Sequence, residues 1–173
     1  MEKSFLKETE TNHAFLKIIE ANKGIIYKVS RAYCKNEEDR KDLMQEIIIQ
    51  LWSSLAKYNS QYQLSTWIYR IALNVSITMY RKNITRQNKT SQLTDSIIYF
   101  DESLVTEKEN EITLLYQFIH QLKVLDKALM LLYLEQKSYK EIAEILDITE
   151  TNVATKLGRI KQNIKQQFLA HNK

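Results

Sequence analysis

The chain has 173 residues with no proline and only two glycines, where average usage gives about 9 and about 12, and its net charge is +4. Sandwiches, barrels and meanders turn on Gly, Pro and Asn, and dinucleotide or P-loop sites need clustered glycines to admit phosphate, so composition disfavours a β-rich fold and a nucleotide cradle. What remains is an all-α protein, with 44% hydrophobic residues to build its core.

At the amino terminus MEKSFLKETETNH lacks the apolar stretch of a secretory signal, and no run approaches the roughly 20 residues of a membrane span. Cys34 is alone and cannot form an internal disulfide. A protein of the reducing cytoplasm without membrane insertion is expected. From Ala14 to Tyr33, Phe15, Ile18, Ile19, Ile25, Ile26 and Val29 predict one helix or two. Leu43, Ile47, Leu51 and Leu55, with Met44, Ile48 and Trp52 beside them, predict a core-facing helix of about 17 residues starting near Asp39.

Between these residues and the next helix lies the polar, tyrosine-bearing stretch from Tyr58 to Ser65. The following helix carries Trp67, Ile68, Ile71, Ala72, Val75 and Met79 on one side and Arg70, Asn74, Thr78, Arg81 and Lys82 on the other. Tyr58, Tyr62, Trp67 and Tyr69 interleave with Asn59, Gln61, Gln63, Ser65 and Arg70, a composition suited to stacking unpaired bases and reading their edges. Trp67 lies on the apolar side and reads as core ahead of stacking platform; Tyr58 and Tyr62, in the loop, are better placed to meet a base. Residues 1–83 form the first expected domain. No acid occurs between Glu46 and Asp95, while Lys57, Arg70, Arg81, Lys82, Arg86 and Lys89 fall there.

Periodicity fades over 84–106, which is expected to be a linker, with short apolar groups such as Ile97, Ile98, Tyr99 and Phe100. The charge pattern marks the same division: residues 1–90 hold 15 basic and 9 acidic residues, 91–118 hold 1 and 6, and 119–173 hold 9 and 6, or +6, −5 and +3. Two basic surfaces joined by an acidic connector point to two contacts on one polyanion. The second domain, 107–173, opens with a helical pattern near Glu109 carrying Leu114, Leu115, Phe118 and Ile119, and centres on the apolar run from Ala128 to Leu134.

Ser138 and Glu141 have capping-box spacing and start a helix whose apolar face is Tyr139, Ile142, Ala143 and Leu146. Asp147, Ile148 and Thr149 make a short turn, and Thr149 caps the next helix. There Val153, Leu157, Ile160, Ile164 and Phe168 mark the buried side. Thr151, Asn152, Thr155, Lys156, Arg159 and Asn163 form the other face, groups that bond to base edges and phosphates on a helix roughly 28 Å long. This is a helix-turn-helix with a DNA-binding face. Gly158, inside it, reads either as room for a sugar-phosphate backbone or as weak selection.

Three strings taken together carry a family resemblance: Asp42-Leu-Met-Gln-Glu-Ile-Ile-Ile-Gln-Leu-Trp52, Ser65-Thr-Trp-Ile-Tyr-Arg-Ile-Ala-Leu-Asn74, and Ser138-Tyr-Lys-Glu-Ile-Ala-Glu-Ile-Leu146 with its second helix. In that order the chain resembles the extracytoplasmic-function (ECF) sigma factors of bacterial RNA polymerase. The resemblance implies two helical domains, regions two and four, joined by a linker that threads the polymerase. It implies that Asp42, Gln45 and Glu46 face the clamp helices of the largest polymerase subunit. The loop with Tyr58, Asn59, Tyr62, Gln63 and Ser65 would hold the flipped −10 base, and Trp67, Arg70, Asn74, Arg81 and Lys82 would line the neighbouring DNA path. Thr151, Asn152, Thr155, Lys156 and Arg159 would meet the −35 duplex, and the acidic linker would occupy a basic polymerase channel. Core RNA polymerase, promoter DNA and an anti-sigma factor are the implied partners, with no cofactor, no metal and no catalysis by the chain.

The sequence departs from the family pattern where Lys123 and Asp147 replace a frequent Pro and Gly, and where Lys156 replaces a frequent Arg, keeping the charge without the bidentate fork. Two rival readings are a metal-dependent nuclease using Asp42 and Glu46, spaced i, i+4 on one helix, and a regulator that binds duplex DNA without polymerase.

Overall fold

The computed structural model describes residues 2–89 and 107–171, and every regular element among them is helical. The first is α1 (Glu2–Tyr33), one helix where the sequence left one or two open. Gly24 interrupts nothing there, since a Cβ at that position would meet only open space. Then α2 (Glu37–Ser54) begins on Asn36, whose side chain accepts from the Asp39 amide at 2.7 Å. Glu37, Glu38 and Asp39 in its first turn suit the positive end of the helix dipole, and they start the helix two residues before the expected Asp39. A 3₁₀ turn over Leu55–Lys57 ends it. The third helix, α3 (Leu64–Lys89), runs six residues into the stretch expected to be linker, 84–106; the rest of that stretch, with Ile97 to Phe100, lies outside the described residues.

Ile26 and Val29 of α1, Leu43, Ile47 and Leu51 of α2, and Ile68, Ala72 and Leu73 of α3 are all buried and form the core of this first domain. Each such Leu or Ile contributes about 1.5–3 kcal/mol when fully removed from water. Ser30 and Ser76 are buried among them, and their hydroxyls donate to the Ile26 and Ala72 carbonyls at 2.8 and 2.7 Å.

The second domain comprises α4 (Glu107–Gln121), α5 (Val124–Leu134), α6 (Tyr139–Leu146) and α7 (Glu150–His171). The apolar run 128–132 of α5 is buried throughout, and Ile142, Ala143, Val153, Leu157, Ile160 and Ile164 close over it. Phe118 meets Phe168 edge to face with ring centroids 4.7 Å apart.

The two domains pack on each other, α1 against α4 and α5, and α3 against α5 and α6. The Tyr33 hydroxyl donates to the Val124 carbonyl at 2.8 Å, and Lys28 pairs with Glu135 at 2.6 Å. This packing corrects two sequence expectations. Tyr69, grouped with the base-stacking aromatics, is 2% exposed and donates its hydroxyl to Glu135 at 2.9 Å. The buried face of α3 is accordingly centred on Ile68, Tyr69, Ala72, Leu73 and Ser76, while Ile71, Val75 and Met79 are half-buried at its edge. A helix covered on one side by its own domain and on another by its neighbour has a wider buried sector than one amphipathic stripe.

Candidate nucleic-acid interface

Local hydrogen bonds fix the geometry of α6 and α7. Ser138 Oγ accepts from the Glu141 amide at 3.2 Å, and Glu141 Oε2 accepts from the Ser138 amide at 2.9 Å and its hydroxyl at 2.8 Å, completing the capping box. Lys137 adds an ion pair at 3.0 Å. The Ser138 amide first, then Lys137 and the Ser138 hydroxyl, hold the Glu141 carboxyl down to about 2. Asp147 closes α6 in the left-handed region, at φ 55°, the conformation for which the family often uses Gly. The Ile148 amide donates back to the Ala143 carbonyl at 3.1 Å, and Thr149 Oγ1 accepts from the Asn152 amide at 3.2 Å to start α7.

With that turn fixed, Val153, Leu157, Ile160 and Ile164 face inward, and Thr151, Asn152, Thr155 and Arg159 are exposed with Lys156 half-exposed beside them. The Thr155 hydroxyl donates to the Thr151 carbonyl at 2.9 Å, so its oxygen is left to accept. At 22 residues α7 extends about 33 Å, longer than expected. A Cβ at Gly158 would meet nothing within the protein, so internal packing does not require glycine there.

In the first domain, the loop from Tyr58 to Gln63 is braced from within. The Tyr58 hydroxyl donates to the Tyr62 carbonyl at 2.9 Å, Asn59 Oδ1 accepts from the Gln61 amide at 3.0 Å, and the Tyr62 amide donates to the Asn59 carbonyl at 3.1 Å. The Tyr58 ring packs on Trp67 at 5.1 Å, leaving both half-buried. Trp67 thus supports the loop, while Tyr62 is 49% exposed and Asn59 and Gln63 are exposed beside it. Ser65 belongs to the first turn of α3 rather than to the loop. Arg70, Asn74, Arg81 and Lys82 are exposed along α3, and Arg70 donates to the Glu144 carbonyl of α6.

On α2, Asp42, Gln45 and Glu46 are exposed on one face. Ile49, 59% exposed, extends that face by one turn, and Trp52, expected in the core, is 41% exposed with its ring 4.9 Å from Phe15. The spacing 42, 45, 46, 49 carried the signal for Ile49; its apolar character hid it. A cleft between α2 and α3 brings Glu46 together with Asn74 and Lys82. The structure does not bring Asp42 and Glu46 into a metal centre: among the described residues no group of three or more His, Cys, Asp or Glu is placed to hold an ion. Nor is any helix among them long and apolar enough to cross a membrane.

These faces, one on a helix-turn-helix and one beside a braced aromatic loop, define a two-domain helical DNA-binding protein. A family model described as sigma-70 region 2 matches residues 18–85, and one described as sigma-70 region 4 matches residues 112–164. The chain is 27% identical over 166 residues to the ECF RNA polymerase sigma factor SigW of Bacillus subtilis, covering 90% of this chain and 89% of SigW. It is 29% identical over 165 residues to the RNA polymerase sigma factor SigV of the same organism, covering 94% and 96%. Its fold is similar to that of CnrH in a solved complex with the cytosolic domain of CnrY, with a TM-score of 0.67, 16% identity and coverage of 92% and 90%. A comparable likeness, TM-score 0.68 with 14% identity and coverage of 91% and 95%, holds for the sigma factor RpoE of Bartonella quintana, solved with the anti-sigma factor NepR. The chain belongs to the ECF sigma factors.

Proposed function

We infer that the protein binds core RNA polymerase and directs promoter-specific initiation in the cytoplasm, reading a −10 element with its first domain and a −35 element with its second. The observation that carries this reading is the presence, in one chain and in order, of the region 2 and region 4 matches. A regulator confined to duplex DNA has no use for the first of them. Asp42, Gln45, Glu46 and Ile49 form the polymerase-facing surface of α2. Tyr62, Asn59 and Gln63 meet the unpaired −10 base on the platform that Tyr58 and Trp67 build, with Ser65 beside them, and Arg70, Asn74, Arg81 and Lys82 track the backbone. Thr151, Asn152, Thr155, Lys156 and Arg159 enter the −35 major groove. The chain itself does no chemistry and needs no cofactor. As CnrH and RpoE were solved with partners bound, a sequestering anti-sigma protein is part of this proposal.

Substitution tests the assignment. Tyr62→Ala or Gln63→Ala should change the preferred −10 base, while Lys156→Ala with Arg159→Ala should weaken −35 dependence by about 1–3 kcal/mol per lost contact and leave polymerase binding intact. Promoter selectivity unchanged in the first pair would place the base pocket elsewhere. Loss of polymerase binding in the second would mean a folding defect instead.

A further inference from the structure

The seam between the domains holds a cavity of about 590 Å³, within the range of small-molecule sites. Arg31, Lys35 and Arg40 line it from the first domain, and Tyr116, Gln117 and His120 line it from α4. The Arg31 guanidinium lies over the Tyr116 ring at 4.2 Å, and Arg40 donates to the Tyr27 hydroxyl at 3.2 Å. Arg40 Nε is buried with no acceptor. Among the described residues no carboxylate lines the cavity and none pairs with these three cations; Asp39 and Asp42 lie near enough to act on the Cys34 thiol, but they are not in its walls.

The charge in the walls is all positive, and Glu37, on which Arg40 acts, lies outside them with Asp39 and Asp42. Burial first, then Lys127, Lys35, Arg31 and Arg40, hold the His120 imidazole down to about 4, so it faces the cavity as a neutral ring. Closing the seam adds Lys127 of α5 to the three cations of the first domain in partial shelter from water, which opposes closure. A phosphate group supplies the countercharge, and guanidinium forks match its oxygens.

We propose that this cavity binds a small phosphate-bearing anion through Arg31, Lys35 and Arg40, and that the bound anion clamps the two domains together. The three cations come from the first domain, and Tyr116, Gln117 and His120 of α4 add polar groups only when the seam is closed, so an anion that bonds to both walls binds the closed arrangement more tightly and shifts the equilibrium by that difference in affinity. On the sigma-factor reading, on which this consequence alone rests, such an anion restrains promoter engagement.

Inorganic pyrophosphate titrated calorimetrically into the full chain, against chloride matched in ionic strength, tests the site. One-to-one saturable binding is expected, weakened about tenfold or more by Arg31→Gln with Arg40→Gln and also by Lys35→Gln at an exposed position. The same binding should survive Lys156→Ala with Arg159→Ala, which strips the −35 face. Absence of saturable binding overturns the proposal, and so does binding that persists in the cavity variants or is lost with the −35 face. Neither DNA nor polymerase enters the measurement, so its outcome is separate from the chain's role in transcription.

Discussion

Lys127 is a cation that the fold buries at a cost. It is 1% exposed on α5, with its ammonium 4.6 Å from the Tyr80 ring centroid and no carboxylate partner among the described residues. The ring faces offset part of its desolvation, yet burial first and then Lys35 bring its pKa down to about 8. A lysine whose folded pKa lies below its unfolded value sheds its proton earlier in the folded chain, so stability is lowest below pH 8 and rises as pH climbs toward 10.5. Lys127→Met should therefore stabilise the protein at pH 7.5 by on the order of 2–3 kcal/mol, with the advantage shrinking by pH 9.5. Urea unfolding of both proteins across that range measures it; a difference independent of pH would mean that Lys127 is not held off its ordinary titration.

Elements were the scale at which the sequence was most legible, because their signals are local. The Ser138 and Glu141 spacing gave the start of α6, and the rhythm from Val153 to Ile164 gave the buried side of α7. What stayed hidden depends on neighbours: Tyr69 reads as one more aromatic on a basic edge until Glu135, 66 residues away, accepts its hydrogen bond. Trp52 reads as core, and Ile49 is assigned to no face, because hydropathy does not record which side of a helix a partner will cover. At Gly158 the element and its function pull apart. With open space at its Cβ, Gly158→Ala should raise the stability of the chain by about 1 kcal/mol in chemical unfolding. If closeness to the sugar-phosphate backbone is what glycine provides, the same variant binds −35 duplex more weakly despite its greater stability. Unchanged affinity would instead assign Gly158 to weak selection.

At the scale of the whole molecule, the closed arrangement and the proposed task are geometrically incompatible. The longest helix, α1, spans about 48 Å, whereas the −35 and −10 elements lie about 25 base pairs, roughly 85 Å, apart along duplex DNA. The domains must separate to reach both. The seam suits that, since much of it is polar: Lys28 and Tyr69 on Glu135, Tyr33 on the Val124 carbonyl, Arg70 on the Glu144 carbonyl. Interfaces of this kind permit relative domain motion, and opening this one frees Arg70 from the Glu144 carbonyl for the DNA contact proposed for it. Shortage of proline and glycine fits the same picture, with two domains punctuated by side-chain caps such as Asn36, Ser138 and Thr149 rather than by turn residues. Run-off transcription with purified core polymerase, the full chain and a library of promoter sequences tests the central claim most directly. Transcripts that start at a fixed distance from paired −35 and −10 elements, only when this chain is present, are the predicted result; no core binding and no initiation at any promoter in the library would contradict it.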